Sequence, residues 1–264
     1  MSTRASPMLR ILCAALVLLA IALFALPLVG LLAAAPWSEF WALVTSDAAV
    51  DALSLSLISS LSAAALAFVL GLPLAAWLAR GSSPLRTAVR VVVTLPIVLP
   101  PIVAGIALLL AFGRNGIFGA WLDRAFGVSL PFTTMATVVA AAYMGMPFFV
   151  LSAEAGLRSL DARFLDAAKT LSANAQQRFF WVTLPMIKPA LRTGLLLAWA
   201  RALGEFCATQ MFAGNMQGTT RTLPLQCAIA MESAPELAIG LSLVLALVSV
   251  CVLVLLRNSL LPRR

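Results

Sequence analysis

Six long apolar runs constrain this chain more than any other feature. They cover Leu9–Ala35, Ala52–Ala79, Val89–Phe112, Thr133–Leu151, Thr193–Phe212 and Leu237–Leu256. Each is near or above the roughly 20 residues that a helix needs to cross about 30 Å of hydrocarbon. Backbone in lipid has no water to bond, so a spanning segment is a helix or part of a closed barrel. The runs are continuous and lack the period-two alternation of barrel strands. The sequence therefore specifies an all-α integral membrane protein with about six transmembrane helices. Length alone, 264 residues, would allow one or two soluble domains. The chain is however 62% hydrophobic and only 11% charged, less than half the usual charged fraction of about 25%.

The first run follows Arg4 and Arg10, as a signal peptide would. Its apolar stretch exceeds the usual ~7–15 residues of a signal core, so a retained span is expected. Lys and Arg then set the orientation. With the N-terminus in the cytoplasm, all 18 basic residues except Arg114, Arg124, Arg221 and the intraspan Arg201 fall in cytoplasmic segments. The positive-inside bias places both termini there. The net charge of +8 is that of a solvated surface facing lipid headgroups and requires no nucleic acid.

Several chemistries are excluded. With no histidine, a Ser/His or Cys/His nucleophile system cannot be built. Glu205 is the only acid inside an expected span, which argues against paired-carboxylate catalysis. Cys13, Cys207, Cys227 and Cys251 are scattered, with no CxxC pair, and read as apolar thiols rather than metal ligands. The only lysines, Lys169 and Lys188, follow Ala168 and Ile187, so no phosphate-cradling Gly-Lys loop exists. Active transport by this chain would draw on an ion gradient or on a second polypeptide.

Two runs are interrupted. The third contains TLPIVLPPIVAG, with Pro96, Pro100 and Pro101; the fifth contains ARALGEFCAT, with Arg201 and Glu205. Proline removes backbone hydrogen bonds, and the freed carbonyls must face protein or water. These breaks either kink and pack the helices or line the interior of a bundle. Arg201 and Glu205 are four apart and share a helix face. They either satisfy each other or flank a water-lined path for a charged solute.

The most conspicuous polar stretch, LDAAKTLSANAQQRFFWVTLP, runs from Leu165 to Pro185 between two spans. Asp161 is placed to cap a short helix in which Phe164, Leu165, Ala168 and Leu171 share one face. Asp161 and Asp166 complement the start of that helix and Lys169 its end. Ser172 and Asn174 favour a turn. A second amphipathic segment, AQQRFFWVTL, leads through Pro185 and Pro189 into the fifth span. The expectation is a helix–turn–helix under the membrane, narrow at Ala167 and Ala168, which either fits a partner's groove or rests on lipid.

The spacing of DAAKTLSANAQQRFFWVTLP resembles the EAA loop of type I binding-protein-dependent ABC importer permeases: Glu-Ala-Ala, three residues, Gly, nine residues, Ile-x-Leu-Pro. Asp166, Ala167 and Ala168 stand for Glu-Ala-Ala, Ser172 for the glycine, and Val182, Leu184 and Pro185 complete the pattern. Asp for Glu keeps the charge with a shorter reach, and Ser for Gly weakens the expectation of a left-handed turn. ARALGEFCATQMFAGNMQGTTRTLPLQCAIAME, from Ala200 to Glu232, and LPIVLPPIVAGIALLLAFGRNGIFG, from Leu95 to Gly119, are similar to the molybdate branch, with sulfate permeases as close relatives. Cys207 replaces a glycine of that pattern. The resemblance spans roughly 51–256 and is carried by the spacing.

The resemblance implies a multi-pass permease of a bacterial-type inner membrane, working as a homodimer with its pathway on the dimer axis. It implies two ATP-binding cassette subunits below and one extracytoplasmic oxyanion-binding protein above, docking near Gly113–Pro131 and Gly214–Pro235. ATP and Mg would be bound by the partner ATPase, leaving this chain without a cofactor of its own. Molybdate, with tungstate, is the first substrate and sulfate or thiosulfate the second. The ATPase-coupling residues would be Leu165, Asp166, Ala167, Ala168, Lys169, Thr170, Leu171, Ser172, Leu184 and Pro185. An oxyanion also needs a wet path with donors; Ser54, Ser59, Pro100, Arg201, Glu205, Thr209, Gln210 and Asn215 are the candidates, although Ser and Thr in spans often bond their own helix. The expected organisation is a first helix and outer loop over 1–50, a transport domain over 51–256 with the coupling loop at about 153–188, and a basic tail over 257–264. An ion-coupled carrier, a membrane enzyme and a scaffold are the competing classes. The scaffold does not explain the spaced loop, and the enzyme lacks histidine.

Overall fold

The computed structural model describes residues 7–260. Arg4, Arg263 and Arg264, used above for orientation, lie outside them. In chain order the helices are α1 (Pro7–Ala33), α2 (Phe40–Val44), α3 (Asp47–Ala79), α4 (Pro84–Val98), α5 (Pro101–Phe112), α6 (Gly119–Phe126) and α7 (Thr134–Arg158). Then come α8 (Ala162–Thr170), α9 (Ala175–Gln177), a π-helical turn (Arg178–Thr183), α10 (Leu184–Met186), α11 (Lys188–Leu203), α12 (Cys207–Ala213), α13 (Leu223–Ser233) and α14 (Pro235–Leu260). No strand occurs among the described residues.

Among the described residues four helices, α1, α3, α7 and α14, are long and apolar enough to cross a membrane by themselves. The third and fifth apolar runs are each divided into two helices. Pro100 and Pro101 cause the first division, since neither can donate a backbone bond and a residue before proline is pushed out of the α region. Leu99 and Pro100 accordingly have ψ of 136° and 131°. Pro96 is buried within α4 and does not end it. The second division falls at Gly204–Phe206 and contains no proline.

The core forms where α3, α7 and α11 pack on one another. Ala67, Ala75 and Leu78 of α3 meet Phe149, Val150 and Ala153 of α7 and Leu191 and Ala198 of α11. Towards the other end α7 packs instead on α5 and α12, through Ala136, Ala140, Met144, Ala104, Leu108, Ala208 and Phe212. Small residues let these backbones approach closely, which supplies packing where lipid offers no hydrophobic drive. At Gly145 a Cβ would stand 2.7 Å from the Ala198 carbonyl oxygen, a backbone atom that cannot swing aside. At Gly105 it would stand 2.9 Å from the Ala208 Cα.

Peripheral to this core, α1 touches α14 and leaves its apolar surface open over the span, as a helix surrounded by lipid does. The apolar run that ends at Leu151 is shorter than its helix: α7 continues to Arg158, which brings Glu154 inside it. The expectation that Glu205 is the only acid inside a span is thereby corrected; α3 and α14 also begin before their apolar runs and take in Asp47, Asp51 and Glu236. A polar residue at the end of an apolar run stays helical when side chains of neighbouring helices partner it.

Candidate functional site

The loop after α7 is held by local polar bonds. The Asp161 carboxylate caps α8, accepting from the Arg163 N–H at 3.0 Å and from its guanidinium at 2.6 Å. These bonds hold the Asp161 carboxyl below its ordinary range. Asp166 pairs with Lys169 at 2.7 Å across one turn, both exposed. Leu165 is half-buried and Ala168 buried, turned towards the π segment. Phe164 and Leu171, expected on the same face, point outward instead, with Leu171 83% exposed. The apolar stripe is divided between the loop's own packing and its free surface. Ala167 and Thr170 are also exposed.

Helix α8 ends in a left-handed turn, contrary to the expectation from serine at the glycine position. Ser172 has φ +58°. Its N–H donates to the Lys169 carbonyl at 2.9 Å, and the Ala173 N–H donates to the Ala168 carbonyl at 3.0 Å. This pair of bonds is the Schellman closure, which satisfies helix-end carbonyls only when the residue between adopts positive φ. The Arg178 guanidinium reinforces the turn by donating to the Ala173 carbonyl at 2.7 Å. Asn174 and Gln177 then form a reciprocal capping box, both bonds at 2.8 Å. The π turn that follows precedes Pro185, whose missing N–H and ring exclude the ordinary bond to the Trp181 carbonyl. The Leu184 N–H reaches back to the Phe179 carbonyl, one residue further than in an α-helix. Leu184 is half-buried and Pro185 exposed, both beside Lys188 and Arg192 in a groove closed by Phe68 and Leu191.

Among the candidate path residues, Arg201 and Glu205 are brought together, with Nη1 2.6 Å from Oε2. Glu205 is 3% exposed. Its other oxygen accepts from the Ala208 N–H at 2.8 Å and so caps α12. This cap is what allows α11 to stop and α12 to start without proline. Thr209 is buried and Gln210 exposed on α12. Asn215 accepts from Arg221 Nε at 2.8 Å. Ser54 is exposed and donates to the Asp51 carbonyl at 2.9 Å, while buried Ser59 donates to the Ser56 carbonyl at 3.3 Å. Both serines bond their own helix. Pro100 is exposed at the head of α5.

The serines that reach across helices are others. The Ser56 hydroxyl oxygen accepts from the Leu223 N–H at 2.6 Å, and that of Ser60 from Trp199 Nε1 at 3.1 Å. Their spacing of four on α3, facing core, was the available signal. A second feature missed from the sequence is a charge cluster around a buried carboxylate. Glu154, 4% exposed, receives Arg90 of α4 through Nη2 at 2.6 Å and Nε at 3.2 Å. It also receives Arg158 Nε at 2.8 Å, and Arg158 Nη2 donates to the Leu78 carbonyl of α3 at 3.1 Å. Among the described residues no group of three or more Cys, Asp or Glu forms a metal-binding constellation.

With this geometry established, comparison with known proteins places the chain. The family described as binding-protein-dependent transport system inner membrane component matches residues 67–264. The chain belongs to that family. Among this inner membrane component's relatives, the molybdenum transport system permease protein ModB of Mycobacterium tuberculosis is 42% identical over 228 residues, covering 86% of both chains. The sulfate transport system permease protein CysT of Escherichia coli (strain K12) is 35% identical over 205 residues, covering 78% of this chain and 74% of its own. A chain of the bacterial alginate ABC transporter, solved in complex with its alginate pentasaccharide-bound periplasmic protein, superposes with a TM-score of 0.73 at 18% identity, covering 94% of each chain. That likeness establishes the all-helical permease fold of this inner membrane component.

Proposed function

We propose that this chain is the membrane subunit of an ATP-driven importer of a tetrahedral oxyanion, molybdate first, with tungstate as a co-substrate. The observation that carries the reading is the identity to molybdenum permeases over most of both chains, joined to a loop built for contact. In that loop α8 is capped at both ends by its own side chains and backbone, while Phe164 and Leu171 remain outward. A helix rigidified in this way docks without a large ordering cost. Sulfate or thiosulfate is the second reading, favoured by the identity to the sulfate permease.

In this reading the chain works as a homodimer with both termini cytoplasmic and about six spans per copy, counting the divided third and fifth runs. Two ATP-binding cassette subunits bind ATP and Mg and grip α8 through the surface around Asp166, Ala167 and Leu171. An extracytoplasmic binding protein delivers the oxyanion. ATPase closure pulls α8 and swings the spans, giving alternating access. Ser54, Ser59, Pro100, Arg201, Glu205, Thr209, Gln210 and Asn215 remain the candidate path residues. The Arg201–Glu205 pair supports such a path electrostatically, because a neutralised Glu205 does not repel a dianion.

The test is uptake of labelled molybdate, with sulfate as competitor, by cells with and without the chain. Loss of molybdate uptake on deletion is expected, and loss of sulfate uptake alone would replace the substrate. Uptake that survives removal of the ATPase but collapses with the proton gradient would mark an ion-coupled carrier. Asp166→Arg should leave the complex assembled while separating ATP hydrolysis from uptake. Normal uptake per ATP in that variant would remove α8 from the coupling role.

A further inference from the structure

The Arg90–Glu154–Arg158 cluster sits where the loop joins the bundle. Helix α7 passes into α8 through Ser159, Leu160 and Asp161 alone, and Leu160 is packed against the α3–α7–α11 core. Force on α8 reaches α7 through this link and meets Arg158 there; the other route runs through the π turn into α11. The Arg158 side chain, 44% exposed, is nonetheless bonded through two of its nitrogens. Its Nε holds Glu154 and its Nη2 holds the Leu78 carbonyl at the end of α3. Glu154 in turn holds Arg90, and through it α4.

Helix α4 is lightly held. Pro96 is its only buried residue, Val89 and Val93 are half-buried against the core, Arg86 lies over the Trp77 ring of α3, and its main packing partner is α7. Its far end meets the Leu99–Pro100 break before α5. It is a helix with a break at its far end and Arg90 at its middle, two turns before that break. Apolar side chains of similar volume would hold two helices as well as a buried ion pair does, because desolvation offsets most of the Coulomb gain. What a guanidinium on a carboxylate adds is direction: Arg90 engages both Glu154 oxygens through Nε and Nη2, which fixes the orientation of α4 as well as its distance.

We infer that this triad makes α4, held at its middle, and the adjoining ends of α3 and α7 follow α8 as one body, so that Arg90 and Glu154 are positioning residues for coupling. The inference rests on the importer reading. Without the triad, movement of α8 would still pull α7, but α4 would lag behind it. ATP would be hydrolysed with fewer solute molecules moved.

The experiment uses the complete transporter in proteoliposomes, with ATP hydrolysis and molybdate uptake measured together. Arg90→Met is the informative variant, because Glu154 keeps Arg158 and no buried carboxylate is orphaned. It should assemble and hydrolyse ATP, with uptake per ATP reduced roughly fivefold or more, the usual scale of a coupling effect. Arg90→Lys, a point donor without the fork, should fall between Arg90→Met and wild type. Arg90→Cys combined with Glu154→Cys, in a background without the four native cysteines, should regain uptake per ATP when a short bifunctional thiol reagent ties α4 to α7. Unchanged uptake per ATP in Arg90→Met overturns the proposal. So does failure of both Arg90→Met and Arg90→Lys to assemble, which would make the triad a packing element. Absence of ATP-driven uptake in the wild type would instead overturn the importer reading, and this proposal with it.

Discussion

Glu154 and Glu205 are two carboxylates of nearly equal burial, at 4% and 3% exposure, held in opposite ways. Glu205 is a local device. Its arginine lies one turn back on the same helix, and its second oxygen caps the next helix. Glu154 takes one arginine from its own helix and one from α4, and the first of these also bonds α3. Removing the first changes one joint in one polypeptide segment, whereas removing the second loosens three helices. The difference teaches that burial alone does not rank an acid; the number of elements meeting on it does.

The largest expected effect follows from that ranking. Glu154→Leu leaves Arg90 and Arg158 without their anion; because those side chains are 29% and 44% exposed, the cost is about 3–4 kcal/mol, towards the lower end for breaking a buried pair. Thermal unfolding of the purified protein in detergent measures it. Glu205→Leu should cost less, about 2–3 kcal/mol, the scale of a charged hydrogen bond plus a lost helix cap. Arg201 is 28% exposed at its side chain, much as Arg90 is at 29%, so the difference rests on the number of partners lost and not on exposure. The glutamine variants sharpen the contrast. Glu205→Gln keeps an oxygen for the Ala208 N–H and should recover about 1 kcal/mol relative to Glu205→Leu. Glu154→Gln should recover little, because a neutral amide does not balance two guanidinium groups. Equal recovery in the two variants would break the comparison.

The same contrast explains what was legible in the sequence. Arg201 and Glu205 are four apart and could be paired by counting; Arg90 and Glu154 are 64 apart, and no local pattern joins them. The apolar run also stopped at Leu151, so Glu154 read as loop. The all-helical class, the Asp161 cap and the breaks at Pro100 and after Arg201 follow from local chemistry and were readable. The turn at Ser172 is less legible, because propensity disfavours positive φ in serine while the Schellman bonds and Arg178 enforce it. That strain gives a smaller prediction. A left-handed conformation costs an L-residue about 1–2 kcal/mol, partly offset in glycine by greater unfolded-state freedom. Ser172→Gly should therefore stabilise the loop by a net of about 0.5–1 kcal/mol. Slower proteolysis between α8 and α9 is the readout. Faster cleavage would show that the serine side chain contributes more than its backbone costs.

A third acid extends the comparison to water. Asp161 is held like Glu205, by an arginine close in sequence and a helix-capping bond, but at the surface. Its carboxyl lies below the ordinary carboxylate range when α8 is folded, because Arg163 donates to it from guanidinium and backbone. A lowered folded value means that the acid's contribution to α8 is complete above the unfolded value, about pH 4, and is lost as pH falls through the lower folded one. Exposure and salt screen the pair, so this is the smallest of the effects. A spin label at Ala167 would report it as increasing loop mobility on acidification. Asp161→Asn caps a helix without titrating, so its mobility should not change over the same interval. If the asparagine variant loosens in step with the wild type, the acid response does not belong to Asp161.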